Sequence, residues 1–95
     1  MEQPTREEKI SELYELLAGV GSAEEMRMLF DDLCTVKEIE NMAERIFAAK
    51  LLMEGKTYSQ IMEISDISSA TLSRVSRCVQ YGNGYSSVLK KVSGK

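Results

Sequence analysis

The segment from Ile46 to Met53 constrains the fold more than any other part of the chain, because it has almost no polar face. Its residues are Ile-Phe-Ala-Ala-Lys-Leu-Leu-Met, and Lys50 is the single charged residue among them. A helix that is apolar on nearly every side must be covered on nearly every side. The remaining helices of a 95-residue chain can hardly supply that cover. We therefore predict an intertwined homodimer. A central helix buried in a monomeric bundle is the alternative.

Capping signals and apolar periodicity predict an all-α fold of about six helices. A capping box pairs Ser or Thr with Glu or Gln three residues later, and each side chain accepts a hydrogen bond from the other residue's backbone N–H. Four such pairs follow one another along the chain: Thr5 with Glu8, Ser22 with Glu25, Thr35 with Glu38, and Thr57 with Gln60. Apolar residues recur between them at helical spacing, and no segment shows a strand signal. A chain of this length is expected to form one domain, residues 1–95.

Glycine and turn residues predict where the helices end. We expect the longest helix to run from Thr35 to about Glu54 and to end at Gly55. The composition of Tyr81–Tyr85 indicates a loop, after which Ser86 would cap a last short helix.

The composition argues against several classes of protein. The chain has no histidine, and its two cysteines, Cys34 and Cys78, lie far apart, so we expect free thiols and no metal site. It has neither a Gly-rich phosphate loop nor a nucleophile motif, so we do not expect an enzyme. No apolar run approaches the length of a membrane span, and the N-terminus has no apolar signal core. We therefore expect a cytoplasmic protein that does not bind membranes.

Charge is distributed unevenly along the chain, whose formal net charge is −3. Residues 1–54 hold 6 basic and 13 acidic residues, a net charge of −7, whereas residues 55–95 hold 6 basic and 2 acidic residues, a net charge of +4. Such asymmetry is a hint of nucleic-acid contact through the basic half. Chance variation in a short chain is the alternative explanation.

The segment Thr57–Gln80 indicates a short helix, a turn and a second helix, which is the layout of a helix-turn-helix DNA-binding unit. The turn is expected at Ser65-Asp66, because Asp tolerates the left-handed backbone conformation that a tight turn often needs. Ser68 or Ser69 would then cap the second helix.

The second helix would bury one face and present the other to a DNA major groove. Its buried stripe is Leu72, Val75 and Val79, with Ile67 packing inward before it. Small hydroxyl residues allow a close approach to bases, and arginines bind guanine edges or phosphates. The free N–H groups of the first helix's N-terminus can bind a phosphate. The candidate DNA contacts are Thr57, Tyr58, Ser59, Gln60, Ser68, Ser69, Ala70, Thr71, Ser73, Arg74 and Arg77.

Two other interpretations remain open. The helix pair is also compatible with an αα-hairpin whose serines and arginines are only solvated. The protein would then be a helical dimer that binds another protein through its acidic N-terminal half, without binding DNA. Salt-dependent DNA affinity distinguishes the two, because phosphate contacts weaken steeply as salt rises.

The segment from Leu33 to Val79, LCTVKEIENMAERIFAAKLLMEGKTYSQIMEISDISSATLSRVSRCV, resembles the tryptophan repressor family. The resemblance is greatest to the small YerC/YecD-type, Trp-repressor-related branch. It rests on a long Thr-started helix, a Gly stop, a helix-turn-helix and the motif Ala-Thr-Leu-Ser-Arg, in that order. It implies an all-α intertwined homodimer that regulates transcription, with its two recognition helices in successive major grooves.

The same resemblance implies an effector pocket at Thr35, Arg45, Arg74, Val75 and Cys78. In tryptophan-sensing members the two arginines flank the indole ring and hold the carboxylate, and the threonine lies at the mouth. Those members carry Gly where this chain has Val75, which adds three carbons where a flat ring would lie. They carry Ser where this chain has Cys78, a poor partner for an ammonium group. No cofactor is predicted; a small-molecule corepressor stays open, and tryptophan is disfavoured.

Overall fold

The fold of the protein, seen in a computed structural model that describes residues 2–93, is all-α as predicted. Every element of regular secondary structure within those residues is a helix. The six helices are α1 (Arg6–Ala18), α2 (Ala23–Leu33), α3 (Val36–Met53), α4 (Tyr58–Ile64), α5 (Ser69–Tyr81) and α6 (Gly84–Ser93). The chain divides into two compact units, residues 1–36 and residues 37–95. The single domain expected from the length stays a prediction.

The first unit holds two amphipathic helices whose starts follow the capping signals. At α1 the predicted box is complete: Thr5 Oγ1 accepts the Glu8 N–H at 3.1 Å, and Glu8 Oε1 accepts the Thr5 N–H at 2.7 Å. At α2 only half of the predicted box is correct. Ser22 Oγ accepts the Glu25 N–H at 3.1 Å, but Glu25 Oε1 reaches one residue further back and accepts the Gly21 N–H at 3.2 Å. Neither helix has a fully buried side chain.

The long helix α3 ends where the sequence predicts, and its end is fixed by Gly55. This glycine has φ +90°, in the left-handed region that side chains disfavour. Its N–H donates to the Leu52 carbonyl at 3.0 Å, and the Lys56 N–H donates to the Leu51 carbonyl at 3.0 Å. These two bonds form a Schellman motif, which satisfies carbonyls that the helix end would otherwise leave unpaired.

The second unit is built around one apolar cluster to which α3, α4 and α5 contribute. Its buried members are Ala48, Ala49, Ile61, Ile67, Leu72 and Val75. The inward positions predicted for Ile67, Leu72 and Val75 are therefore confirmed. In the segment Ile46–Met53, however, the single chain covers only the two alanines fully, and Ile46 and Phe47 stay 44% and 41% exposed.

The helix-turn-helix consists of α4, a connection at residues 65–68, and α5. The predicted left-handed conformation at Asp66 is wrong, because the only positive φ among the described residues belongs to Gly55. Ser65 is instead extended, at φ −140° and ψ 161°. Its hydroxyl accepts the Ile67 N–H at 3.4 Å. An extended residue with a side-chain hydrogen bond thus redirects the chain without a left-handed residue.

The connection between α5 and α6 is shorter than the predicted loop. Tyr81 is the last residue of α5 and Gly84 the first of α6, so the glycines lie at helix ends and not in a five-residue loop. The predicted cap at Ser86 is also wrong, because this serine lies inside the first turn of α6. Its hydroxyl donates to the Asn83 carbonyl at 3.4 Å. Tyr85 and Leu89 of α6 pack against the core cluster, and α6 packs against α5.

Candidate nucleic-acid interface

Helix α5 has one buried face and one exposed face, and the predicted DNA contacts lie mostly on the exposed one. Leu72 is 0% and Val75 is 1% exposed, which anchors α5 to the core of the second unit. Thr71 is half-buried at the edge between the two faces. The exposed positions among the predicted contacts on α5 are Ser69, Ala70, Ser73, Arg74 and Arg77. The arrangement leaves both guanidinium groups in solvent, where five N–H donors each are available to an acceptor.

Ser68 is the N-cap residue of α5, and its hydroxyl takes part in two hydrogen bonds. Ser68 Oγ accepts the Thr71 N–H at 3.2 Å, which caps the helix. The same hydroxyl donates to Thr71 Oγ1 at 3.0 Å. In this arrangement the Thr71 hydroxyl keeps its own proton as a donor. Of the two serines predicted as the cap, Ser69 is the one whose side chain takes no part in it.

The N-terminus of α4 carries the second group of predicted DNA contacts. A complete capping box begins this helix: Thr57 Oγ1 accepts the Gln60 N–H at 3.2 Å, and Gln60 Oε1 accepts the Thr57 N–H at 2.8 Å. Both residues are exposed, as are Tyr58 and Ser59. In this box the two side chains act only as acceptors. The Thr57 hydroxyl proton and the Gln60 amide N–H groups therefore remain available as donors to an anion.

A groove of about 610 Å³ lies between the first half of α3 and the start of α5. Both charge signs line it, together with Thr71 at the edge of the exposed face of α5. Its lining residues are Lys37, Glu40, Asn41, Ala43, Glu44, Arg45, Asp66, Ile67, Ser68 and Thr71. Glu44 Oε2 is shielded from solvent there and has no hydrogen-bond partner among the described residues. A shielded acceptor of this kind is costly, so a donor that entered the groove would relieve that cost.

The residues of the predicted effector pocket are not gathered into this groove. Arg45 lines it, but the described lining residues do not include Arg74, Val75 or Cys78. Arg74 and Cys78 are exposed, and Val75 belongs to the core. Thr35 belongs to the first unit and is exposed. The effector pocket therefore stays a prediction.

The groove contains residues that the sequence pattern did not single out. Lys37, Glu40 and Glu44 lie on one side of α3, at spacings of three and four residues, which is the spacing of one helix face. That spacing is visible in the sequence, but the position of Asp66 opposite them depends on the fold. Both cysteines are free, and the described residues contain no cluster of metal-binding side chains. No helix within residues 2–93 is long and apolar enough to cross a membrane.

Nearly the whole sequence of the chain matches the model of one protein family. The family model described as Trp repressor protein matches residues 8–93. The chain belongs to the Trp repressor family. The resemblance inferred from residues 33–79 is thereby confirmed, and it extends over the two N-terminal helices as well.

Individual relatives place the chain within the Trp repressor family. It is 40% identical over 88 residues to the uncharacterised protein YerC of Bacillus subtilis (strain 168), a match that covers 92% of this chain and 85% of YerC. This relationship confirms the predicted YerC-type branch. A crystal structure of a candidate Trp repressor from Staphylococcus aureus superposes with a TM-score of 0.85 at 38% identity, covering 92% of this chain and 88% of that one.

A second solved structure, of a TrpR-like protein from Eubacterium eligens ATCC 27750, gives a TM-score of 0.84 at 35% identity. The match covers 90% of this chain and 89% of that chain. The two solved structures therefore agree with the family model on nearly the whole chain. The all-α fold with a helix-turn-helix is shared across the family members compared with it.

Proposed function

We propose that the protein is a sequence-specific DNA-binding transcriptional regulator, acting as a repressor in the cytoplasm. In this proposal α5 lies in a major groove as the recognition helix of a homodimer. The observation that carries the proposal is the division of α5 into a buried anchor, Leu72 and Val75, and an exposed face with Arg74 and Arg77. A recognition helix needs both faces, because it must be held rigidly by the protein while its side chains reach base edges.

The exposed face of α5 suits contact with DNA in both charge and size. Ser69, Ala70 and Ser73 are small, so the helix backbone can approach the floor of a groove about 12 Å wide. Arg74 and Arg77 lie on the same exposed face and offer bidentate contacts to guanine or to phosphate. The donors at the start of α4 suit a neighbouring phosphate.

Exposed apolar residues support the homodimer. Ile46 and Phe47 of α3 remain substantially exposed in the single chain, as do Ile10, Leu13 and Leu16 of α1. Large apolar side chains clustered on helices of a small protein are typical of a surface that a partner covers. A second copy would also double the phosphate contacts, which are few in one recognition unit.

The proposal is tested by replacing both arginines of the exposed face with alanine. The Arg74→Ala/Arg77→Ala variant should lose retention on DNA in a gel shift at low salt, because four guanidinium groups per dimer are removed. Its helical circular dichroism should stay intact, because both side chains are exposed. Arg6→Ala/Arg27→Ala is the matched control, since it changes the charge equally at exposed positions of α1 and α2. Unchanged DNA binding by the first variant would rule out α5 as the reading helix.

A second candidate function is a protein-interaction module, and the acidic face of α1 favours it. Glu7, Glu8, Glu12 and Glu15 line a shallow groove on this helix together with Pro4 and Ser11. Such a face repels phosphate and attracts basic surfaces. This reading predicts no DNA affinity at any salt concentration, whereas the DNA-binding proposal predicts an affinity that falls steeply as salt rises. A low-salt titration against genomic fragments separates them.

A further inference from the structure

We infer that the recognition helix of this protein is held in its DNA-reading position by its own core side chains, with Val75 as the positioning residue. DNA binding then requires no small-molecule corepressor. This inference rests on the proposed DNA-binding function and adds how that function is regulated.

Val75 lies at the centre of the anchor. It is 1% exposed and belongs to the cluster that joins α3, α4, α5 and the connection before α5. One turn earlier, Leu72 is fully buried in the same cluster. Protein interiors are close-packed, so a branched side chain in such a place fixes the helix that bears it against its neighbours. The buried face of α5 is therefore packed against the protein's own side chains at Leu72 and Val75.

Helix α6 holds the far end of α5. Val79, one turn after Val75, packs against the core cluster, and so do Tyr85 and Leu89 of α6. The two helices are joined by only two residues, which keeps the start of α6 close to the end of α5. The recognition helix is thus packed along its length, from Leu72 to Val79.

Two of the side chains that the family resemblance assigns to an effector pocket lie outside this anchor. Arg74 and Cys78 are exposed, and neither is among the described residues that line the groove beside α3. A ligand could enter that groove at Arg45 and still leave the anchor at Val75 untouched. A ligand can shift a conformational equilibrium only by binding one state better than another. If packing already holds α5 in one position, the equilibrium between positions of α5 gives a ligand little to change.

The first experiment compares DNA binding with and without small molecules. The full-length protein is unfolded in guanidinium chloride, dialysed and refolded, which removes bound metabolites. Two parallel selections from a random duplex pool are then run, one in plain buffer and one with L-tryptophan plus a deproteinised bacterial extract. We expect both to enrich the same sequence, with dissociation constants that agree within about twofold.

The possible results separate this inference from the proposed function. Enrichment only in the presence of small molecules overturns the inference and leaves the DNA-binding function standing. Failure of both selections, with gel shifts at low salt also negative, overturns the DNA-binding function and the inference with it.

The second experiment tests Val75 directly. Val75→Ala removes two methyl groups from the anchor without lowering the helix propensity of α5. If the loosened helix is competent to bind for about a tenth of the time, the apparent dissociation constant rises about tenfold. The matched control is Ile61→Val, which trims the same core on α4. We expect the control to change the dissociation constant by less than about twofold.

The two variants are compared at a temperature at which circular dichroism shows both fully folded, so that lost affinity does not reflect unfolding. The slope of affinity against salt is measured as well. It should be unchanged in Val75→Ala, because no phosphate contact is removed. Equal affinity of Val75→Ala and wild type would overturn the positioning role of Val75, and so would an equal loss in Ile61→Val.

Discussion

At Gly82 the chain leaves α5 so close to the last turn of that helix that a side chain has no room. A Cβ atom placed there would lie 2.7 Å from the Cys78 carbonyl oxygen. The same oxygen accepts the Gly82 N–H at 2.9 Å. The hydrogen bond that ends the helix and the close approach are therefore one feature, and only glycine allows both without a backbone shift.

We expect Gly82→Ala to lower the free energy of unfolding by about 1–3 kcal/mol, because the backbone between α5 and α6 must move to relieve the contact. Chemical denaturation followed by circular dichroism measures the change. Gly84→Ala is the control, since a Cβ at that position would meet no atom within 4 Å. It should be neutral or stabilising by up to about 1 kcal/mol. Equal losses in the two variants would contradict the steric explanation.

Single residues were predictable where their partners are local in sequence. The hydroxyls of Thr5 and Thr57 cap their helices as expected, because both partners of a capping box lie within one turn. The left-handed backbone predicted for Asp66 was wrong, and so was the hydrogen bond predicted from Glu25 back to the Ser22 N–H. In each case a neighbour offered a competing arrangement: an extended Ser65, and a Gly21 N–H within reach of the carboxylate. Residue type alone does not decide between such alternatives.

Among the elements, α5 depends most clearly on one capping residue. Ser68→Ala removes the acceptor of the Thr71 N–H and should destabilise the protein by about 1 kcal/mol. Ser69→Ala, one residue later, removes a hydroxyl that caps nothing and should change stability by less than about 0.5 kcal/mol. Thermal unfolding of the two variants side by side measures the difference. A larger loss in Ser69→Ala would refute the assignment of the cap.

The element boundaries show where sequence patterns succeed. The end of α3 was predictable because a glycine follows it in the sequence. Glycine tolerates the positive φ that Gly55 adopts, and few other residues do. The join between α5 and α6 was not, because glycine-rich composition indicates a loop without revealing that helices begin and end at those glycines. The residues Tyr85 and Leu89 extend the apolar cluster, and that packing favours helix over loop.

At the scale of the whole molecule, the exposed apolar residues of α3 imply a partner chain. Phe47→Glu should cost little in an isolated chain, where the side chain is 41% exposed, and much in a dimer that buries it. We expect the wild type to sediment at twice its chain mass of 10.7 kDa and the variant at the chain mass. Lys56→Glu, at an exposed position after α3, is the control and should remain dimeric. A wild type that is monomeric at every concentration would refute the homodimer.

The candidate site was predictable only in part. The outward positions of Arg74 and Arg77 followed from the helical period of the buried stripe. The groove was not predictable, because it joins one side of α3 to a connection more than twenty residues away. The effector residues came from family resemblance, which assigns equivalent positions but not their exposure. That Val75 is packed and Cys78 is exposed required the three-dimensional arrangement.

The hydroxyl of Ser68 is engaged by the cap of α5 and by Thr71, which reduces the number of side chains on this helix that are available to contact bases. A hydroxyl that is already engaged within the protein contributes less to the reading of base edges, which leaves mainly Arg74 and Arg77 and a few small residues to do so. Each good bidentate contact discriminates by about 1–3 kcal/mol. A half-site read in this way specifies few base pairs, and a genome offers very many near matches. We therefore expect selected operators to be short inverted repeats that occur in tandem, so that several dimers supply together the discrimination that one cannot.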